Sequence, residues 1–267
     1  MTDNCLLPPP APPDANSSAP RASTGRLDAS SRPAGLRFVV AIDGPAGSGK
    51  STVARRVAGA LGCTLLDTGA LYRSLALVAR EAGVLWDSPA PLAELASRMQ
   101  VRFVREGDDN RVLLGERDVS REIRTPEISL GASRVSALPP VREALLEMQR
   151  AVARDGPLVA EGRDMGTVVF PSAPVKVFLV ADEVVRAARR LRELKTAGRD
   201  VDLNQVLAEQ NERDAADSGR SVAPLRAAED AHAVDTSNMT IDQVVDAVLE
   251  LVRRHPDAQD LLPPDHT

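Results

Sequence analysis

Leu36 to Ile42 is an apolar run broken only by Arg37. A run without polar alternation is what a strand buried on both faces requires. After a glycine-rich turn, Val53, Val57 and Leu61 recur at four-residue spacing, which predicts a helix that stops near Gly62. Cys63 to Leu66 reads as a second short strand, and Asp67 opens a helix running to about Ala82, closed by Gly83. Strand, helix, strand, helix is the rhythm of a parallel sheet with helices on both faces. That rhythm breaks between about Leu85 and Pro126. A short helix near Leu92 to Met99 precedes two strands, Val101 to Val104 and Val112 to Leu114. Turns at Gly107–Asn110 and at Gly115–Asp118, before Val119, make this a small antiparallel sheet inserted into the main one. The main pattern resumes with a helix over about Val141 to Arg154 and strands at Pro157–Ala160 and Val175–Ala181. An arginine-rich helix (Asp182–Thr196), a helix over Leu203–Asp214 and a strand at His232–Val234 follow. The segment Thr240 to Arg254 closes the fold, with Ile241, Val244, Val245, Val248, Leu249 and Val252 along one face. The expected class is α/β, with a five-stranded parallel core.

Composition changes this picture mainly at the ends. Residues 1–35 are dominated by Pro, Ala and Ser and cannot bury enough apolar surface to offset their ordering entropy, so a disordered tail is expected. Residues 255–267 read the same way. Aromatic content is 2% against 43% hydrophobic, so Leu, Val and Ala must fill the core. The sequence carries no apolar run long enough to cross a membrane and no signal-peptide pattern. Cys5 and Cys63 cannot build a disulfide framework, which suits a reducing cytoplasm. A net charge of −5 argues against general nucleic-acid binding. All but three of the 33 basic residues are arginines, the exceptions being Lys50, Lys176 and Lys195. Genomic base composition explains most of that bias, but not where arginine clusters with glycine and aspartate.

Those clusters carry the candidate chemistry. Gly44 to Ser51 fits the phosphate-binding P-loop pattern G-x-x-x-x-G-K-[ST], between a predicted strand and a predicted helix. Gly44, Gly47 and Gly49 let successive N–H groups converge on one anion, and the helix dipole points at the same place. Lys50 is suited to the β- and γ-phosphates of a nucleoside triphosphate, and the Ser51 hydroxyl to Mg²⁺. The bland alternative is a chance glycine-rich turn. Gly162-Arg163-Asp164 follows a predicted core strand, where open α/β sheets bind ligands. It reads either as a structural ion pair or as an arginine clamping phosphate beside an aspartate reading a base. Arg213, Asp217 and Arg220 lie just past a predicted helix at near-helical spacing. They form either a solvated face or a mobile segment closing over a triphosphate. Arg189 and Arg190 belong to that same surface or to a plain amphipathic helix.

Taken together, these motifs resemble the cytidylate kinase family, bacterial type, among the nucleoside monophosphate kinases. The matching stretches are Asp43–Thr52, Asp67-Thr68-Gly69-Ala70-Leu71-Tyr72-Arg73 and Glu161-Gly162-Arg163-Asp164-Met165-Gly166-Thr167. Glu212-Arg213-Asp214, Asp217, Arg220 and Ala223-Pro224-Leu225 complete the set. The resemblance covers about residues 37–254. It implies a P-loop nucleoside-triphosphate hydrolase fold over residues 36–254, with a monophosphate-binding insert at about 85–130 and an arginine-rich lid at about 189–222. It implies ATP binding by Gly44, Pro45, Ala46, Gly47, Ser48, Gly49, Lys50, Ser51 and Thr52, with Arg189 on the same side. Ser133, Arg142 and Asp164 are implied to contact cytosine. Arg73, Arg163 and Arg220 would hold the monophosphate, Arg213 and Asp217 would approach the ribose, and Thr68 shares that pocket. Lys50, Arg163, Arg213 and Arg220 are the expected catalytic groups, with Mg²⁺ arriving on ATP. The implied reaction converts CMP and dCMP to CDP and dCDP in a cytoplasmic monomer. Cytosine chemistry agrees: a carboxylate accepts from N4, and a guanidinium donates to N3 and O2. Uracil reverses two of these groups and would bury mismatches costing about 1–3 kcal/mol each. The competing readings are a kinase for UMP, AMP or a nucleoside, a nucleotide switch, and a degenerate scaffold. The Asn-Lys-x-Asp signature of guanine-specific switches does not occur.

Overall fold

A computed structural model describes residues 38–106, 109–196 and 198–261. They belong to the unit Gly35–Thr267; the expected N-terminal tail lies outside the described residues. Five parallel strands form the central sheet: β1 (Val39–Asp43), β2 (Thr64–Asp67), β6 (Leu158–Gly162), β7 (Val175–Val180) and β8 (His232–Asp235). Their order is β2-β6-β1-β7-β8. From β1 the chain crosses to β2 on one side and later returns through β6 to β7 on the other. The P-loop therefore leaves β1 where the direction of winding reverses, the place where such sheets bind ligands. Register aligns the strand ends that matter: Asp43 faces Gly162, and Asp67 faces Glu161.

Alternation along β1 sends its two faces to different layers. Val40 and Ile42 pack with Val53 and Val57 of α1 (Lys50–Ala60) and with Val244, Val248 and Val252 of α8 (Ile241–Arg253). Val39 and Ala41 pack on the other face with Leu66, Met165, Val169 and Phe170. Truncating a fully buried member such as Ile42 to Ala would cost roughly 2–5 kcal/mol. Helix α8 starts at a reciprocal cap between Thr240 and Gln243, which satisfies two terminal N–H groups.

The remaining helices hold the other half of the cleft. Helix α2 (Thr68–Glu81) packs Leu71, Tyr72 and Leu75 against Leu92 of α3 (Pro89–Arg98) and against Val141 and Leu145 of α5 (Pro139–Val152). Its opposite side meets Val112, Val119 and Ile128. The insert is a three-stranded antiparallel sheet, β3 (Val101–Glu106), β4 (Asp109–Leu114) and β5 (Arg117–Asp118). Of its first expected turn, Gly107 and Asp108 lie outside the described residues; the second turn is confined to Gly115–Glu116, because Arg117–Asp118 pair with β4. Helix α6 spans Glu183–Thr196, and α7 spans Leu203–Ser218.

Three expectations need correction. Helix α4 (Pro126–Ser136) was not expected; Thr125 caps it and Pro126 opens it. Helix α7 runs on to Ser218, so Arg213 and Asp217 sit on its last turns rather than beyond its end. The fold also continues past residue 254: Pro256–Leu261 forms a 3₁₀ turn whose Ala258 is fully buried in the α1/α8 core. Residues 262–267 lie outside the described residues.

Candidate active site

The P-loop glycines adopt the backbone that their positions demand. Gly44, Gly47 and Gly49 have φ of 149°, 75° and 93°, a region that side chains disfavour. At Gly44 a Cβ would also lie 2.2 Å from the Leu179 carbonyl oxygen. Helix α1 then begins with no side-chain cap and no acidic residue in its first turn, leaving its N–H groups for an anion. Lys50 is buried and donates to the Pro45 carbonyl at 2.6 Å. Its burial, with Arg163 and Arg213 nearby, pulls its ammonium well below the usual lysine range, while Glu161 and Asp43 oppose the shift.

A cleft with a cavity volume of about 290 Å³ opens from this loop across the carboxyl ends of the strands. Seven basic and five acidic side chains line it, a balance that favours anionic ligands. Lys50, Ser51, Thr68, Arg73, Arg142, Arg163, Asp164, Arg213, Asp217 and Arg220 all share it. Ala46, Gly47, Gly49 and Thr52 line its P-loop end; Gly44, Pro45 and Ser48 shape the loop without lining the cleft.

Arg142 reaches from α5 to the Asp164 carboxylate, donates to the Ser136 carbonyl at 3.0 Å, and lies 5.6 Å from the centre of the Tyr72 ring. Both partners are buried, Arg142 at 8% exposure and Asp164 at 3%. Burial also pushes the Tyr72 hydroxyl up to about 12. Asp217 joins two arginines: Arg163 donates to it at 2.8 Å and Arg220 at 2.5 Å. Desolvation opposes its ionisation, but Arg163 and Arg220 win and hold it below the usual aspartate range. Arg213 keeps an exposed surface, yet withdrawal from bulk water and repulsion by Arg163 bring it down to about 10, against the pull of Asp217. Arg73 donates to Asp67 at 3.2 Å, and Asp67 also caps α2 by accepting from Ala70 N–H at 2.7 Å. The Thr68 hydroxyl donates to the Glu161 carbonyl at 2.7 Å.

Two expected residues stand elsewhere. Ser133 does not line the cleft; Ser136, one turn on along α4, does, and its hydroxyl donates to the Ser133 carbonyl at 3.1 Å. Arg189 lies behind the P-loop, donating to Thr236 Oγ1 at 3.0 Å and to the Thr236 carbonyl at 2.6 Å. Thr236 in turn donates to the Ser48 carbonyl at 3.2 Å. The neighbouring Arg190 lines the cleft and pairs with Glu193 at 2.9 Å.

Three further residues, given no role by the motifs, help build the site. Asp43 is buried at the end of β1, and desolvation raises its carboxyl to about 6. Glu161 is buried and accepts from the Ser51 hydroxyl at 3.0 Å through one oxygen; its other oxygen has no hydrogen-bond partner among the described residues. Desolvation and the nearby Asp67 push it up to about 7. Buried Arg186 of α6 donates to the Ala46 carbonyl of the P-loop at 3.0 Å and to Asp214 of α7 at 2.5 Å. Asp43 and Glu161 each open one of the matching stretches, and the signal that singles them out is an acid at the end of an apolar strand.

A strand, P-loop and helix that share one cleft with a set of arginines, on a five-stranded parallel sheet, define a P-loop phosphotransferase. The profile described as cytidylate kinase matches residues 40–254. Among curated relatives, the cytidylate kinase of Syntrophotalea carbinolica is 54% identical over 216 residues, covering 81% of this chain and 92% of that protein. The cytidylate kinase of Vibrio cholerae is 50% identical over 214 residues, covering 80% and 95%. That of Geobacter sp. is 49% identical over 216 residues, covering 81% and 91%. The chain belongs to the cytidylate kinase family.

Proposed function

We propose that this chain transfers the γ-phosphoryl group of ATP to CMP and dCMP, giving ADP with CDP or dCDP. The observation that carries the reading is one cleft holding Lys50 and Ser51 at a P-loop together with the buried Arg142–Asp164 pair. Family membership supports ATP as donor and CMP as acceptor. The P-loop from Gly44 to Thr52 takes the donor phosphates, and Arg189 braces it through Thr236. Arg142 and Asp164 read cytosine, with Ser136 in the place expected of Ser133. Arg73, Arg163 and Arg220 hold the acceptor phosphate, Asp217 and Arg213 lie toward the ribose, and Thr68 shapes that pocket.

In the reaction an acceptor phosphate oxygen forms a bond to the γ-phosphorus as the bond to the β–γ bridging oxygen breaks. The acceptor is already an anion, so no general base is needed. Lys50, Arg163, Arg213 and Arg220 stabilise charge on the moving group, and holding the two phosphates in line supplies much of the rate. The donor set fits Mg²⁺: Ser51 offers a hydroxyl, and Glu161 beside it has a buried oxygen without a partner. Bound there with ATP, the ion would neutralise phosphate charge. The arginine-bearing helices α6 and α7 act as the lid over residues 189–222 and keep water out.

No helix among the described residues is long and apolar enough to cross a membrane. A cytoplasmic monomer is the assembly we favour, given two cysteines in the whole chain and a family resemblance to single-chain kinases. The test supplies ATP and Mg²⁺ with CMP, dCMP, UMP or AMP and follows ADP release. CMP and dCMP should be strongly preferred, and comparable turnover of UMP would overturn the cytosine assignment.

A further inference from the structure

Directly after Asp164 the backbone makes one wide turn, Met165–Val169. Two of its hydrogen bonds span five residues: Val169 N–H to the Asp164 carbonyl at 3.1 Å, and Phe170 N–H to the Met165 carbonyl at 2.7 Å. So short a turn leaves most of its donors and acceptors unmatched, and such turns persist only where the surroundings hold them. Two charged side chains do so here. At its start, the Asp43 carboxylate accepts from Met165 N–H at 2.9 Å and from Gly166 N–H at 2.8 Å. At its end, Arg150 donates through Nε to the Val169 carbonyl and through Nη2 to the Val168 carbonyl, both at 3.0 Å.

Arg150 lies on α5, eight residues after Arg142, so both project from roughly the same side of one helix. Helix α5 therefore grips the Asp164 segment twice, by its carboxylate through Arg142 and by its backbone through Arg150. Arg150 does not line the cleft. We propose that Arg150 is a positioning residue for acceptor specificity: it fastens the turn after Asp164 to α5 and so fixes the carboxylate that reads the base. The inference rests on the proposed use of Asp164 in base recognition. Without Arg150, two partly buried carbonyls lose a charged donor and the turn relaxes toward ordinary helix or loop. Arg142 would then pull Asp164 toward itself without a fixed backbone behind it.

The test compares Arg150→Ala and Arg150→Lys with the parent chain. Three quantities are read: KM and kcat for CMP, UMP and ATP; amide hydrogen exchange over residues 165–170; and the thermal midpoint. In Arg150→Ala, KM for CMP should rise about tenfold, as expected if the misplaced Asp164 loses its one charged hydrogen bond to the base. The CMP-to-UMP preference should narrow by a similar factor, with KM for ATP within twofold. Exchange at Val168, Val169 and Phe170 should speed up at least tenfold. Arg150→Lys keeps a charged donor but not the fork, and should recover part of each change. A merely structural role would lower the thermal midpoint and the active fraction while leaving KM and the preference unmoved. Unchanged KM for CMP and unchanged preference in folded Arg150→Ala would overturn the proposal. Should Arg150→Ala fail to fold, Arg150→Lys decides by the same readouts. If the parent chain instead prefers another acceptor, the CMP reading fails, and the positioning role is judged by exchange and by KM for that acceptor.

Discussion

Asp164→Asn removes one charge and little volume from the centre of the candidate acceptor site. The carboxylate has about four lone-pair sites, enough to accept from Arg142 and from a cytosine amino group together. Asparagine keeps one oxygen and turns an NH₂ toward one of those two donors. The resulting mismatch should cost about 1–3 kcal/mol, which at 1.4 kcal/mol per decade is roughly a 5- to 150-fold loss in kcat/KM for CMP. Stability should fall as well. Breaking a buried pair outright costs about 3–5 kcal/mol, but Arg142 retains the Ser136 carbonyl and the Tyr72 ring, so the low end is expected. Two measurements separate these effects: ADP release with CMP varied at saturating ATP, and ATP affinity by direct titration. The double variant Arg142→Met/Asp164→Leu, which leaves no unpaired charge, should regain stability without regaining CMP turnover. CMP kcat/KM within twofold of the parent in Asp164→Asn would refute the reasoning, as would an equal loss of ATP affinity.

Gly44→Ala should cost at least about 2 kcal/mol and abolish ATP binding, because φ is +149° and the new Cβ meets the Leu179 carbonyl; denaturant midpoints and ATP titration check it. Asp43 gives a pH dependence: burial raises its carboxyl in the folded chain to about 6, above the ordinary aspartate value of 3.8, so the folded state binds more protons between those limits. Its contribution therefore falls as pH rises from about 4 to about 6, by on the order of 3 kcal/mol, and is flat above; denaturation across that range should show the slope. Glu161→Gln should raise the Mg²⁺ concentration for half-maximal ATP binding severalfold, with metal-free ATP affinity little changed, as read by titration of each form.

Much of the architecture was legible because the buried strands are nearly all apolar and glycines close the helices. What escaped notice depends on contacts distant in sequence. Helix α4 carries Gly131, a weak helix former, which is there because Trp86 packs on it: a Cβ would meet the ring at 2.5 Å. The wide turn at Met165 has no propensity signal of its own and exists through Asp43 and Arg150. The family resemblance implied a shared pocket for Arg163, Arg213 and Arg220, which all line the cleft, but it pointed to Arg189 where Arg190 lines the cleft. Adjacent helical positions lie about 100° apart, and only packing decides which faces inward. Ser133 and Ser136, three residues apart, share a face of α4 and differ in height by nearly one turn, so the placement of the helix decides which reaches the cleft.

Arg186 has a mechanical consequence. One guanidinium holds both the Ala46 carbonyl of the P-loop and the Asp214 carboxylate on α7. The C-terminal half of α7 is therefore linked to the P-loop through Arg186. Arg213 and Asp217, one residue before and three residues after Asp214 on the same helix, are thereby tied to the donor-side loop through a single guanidinium.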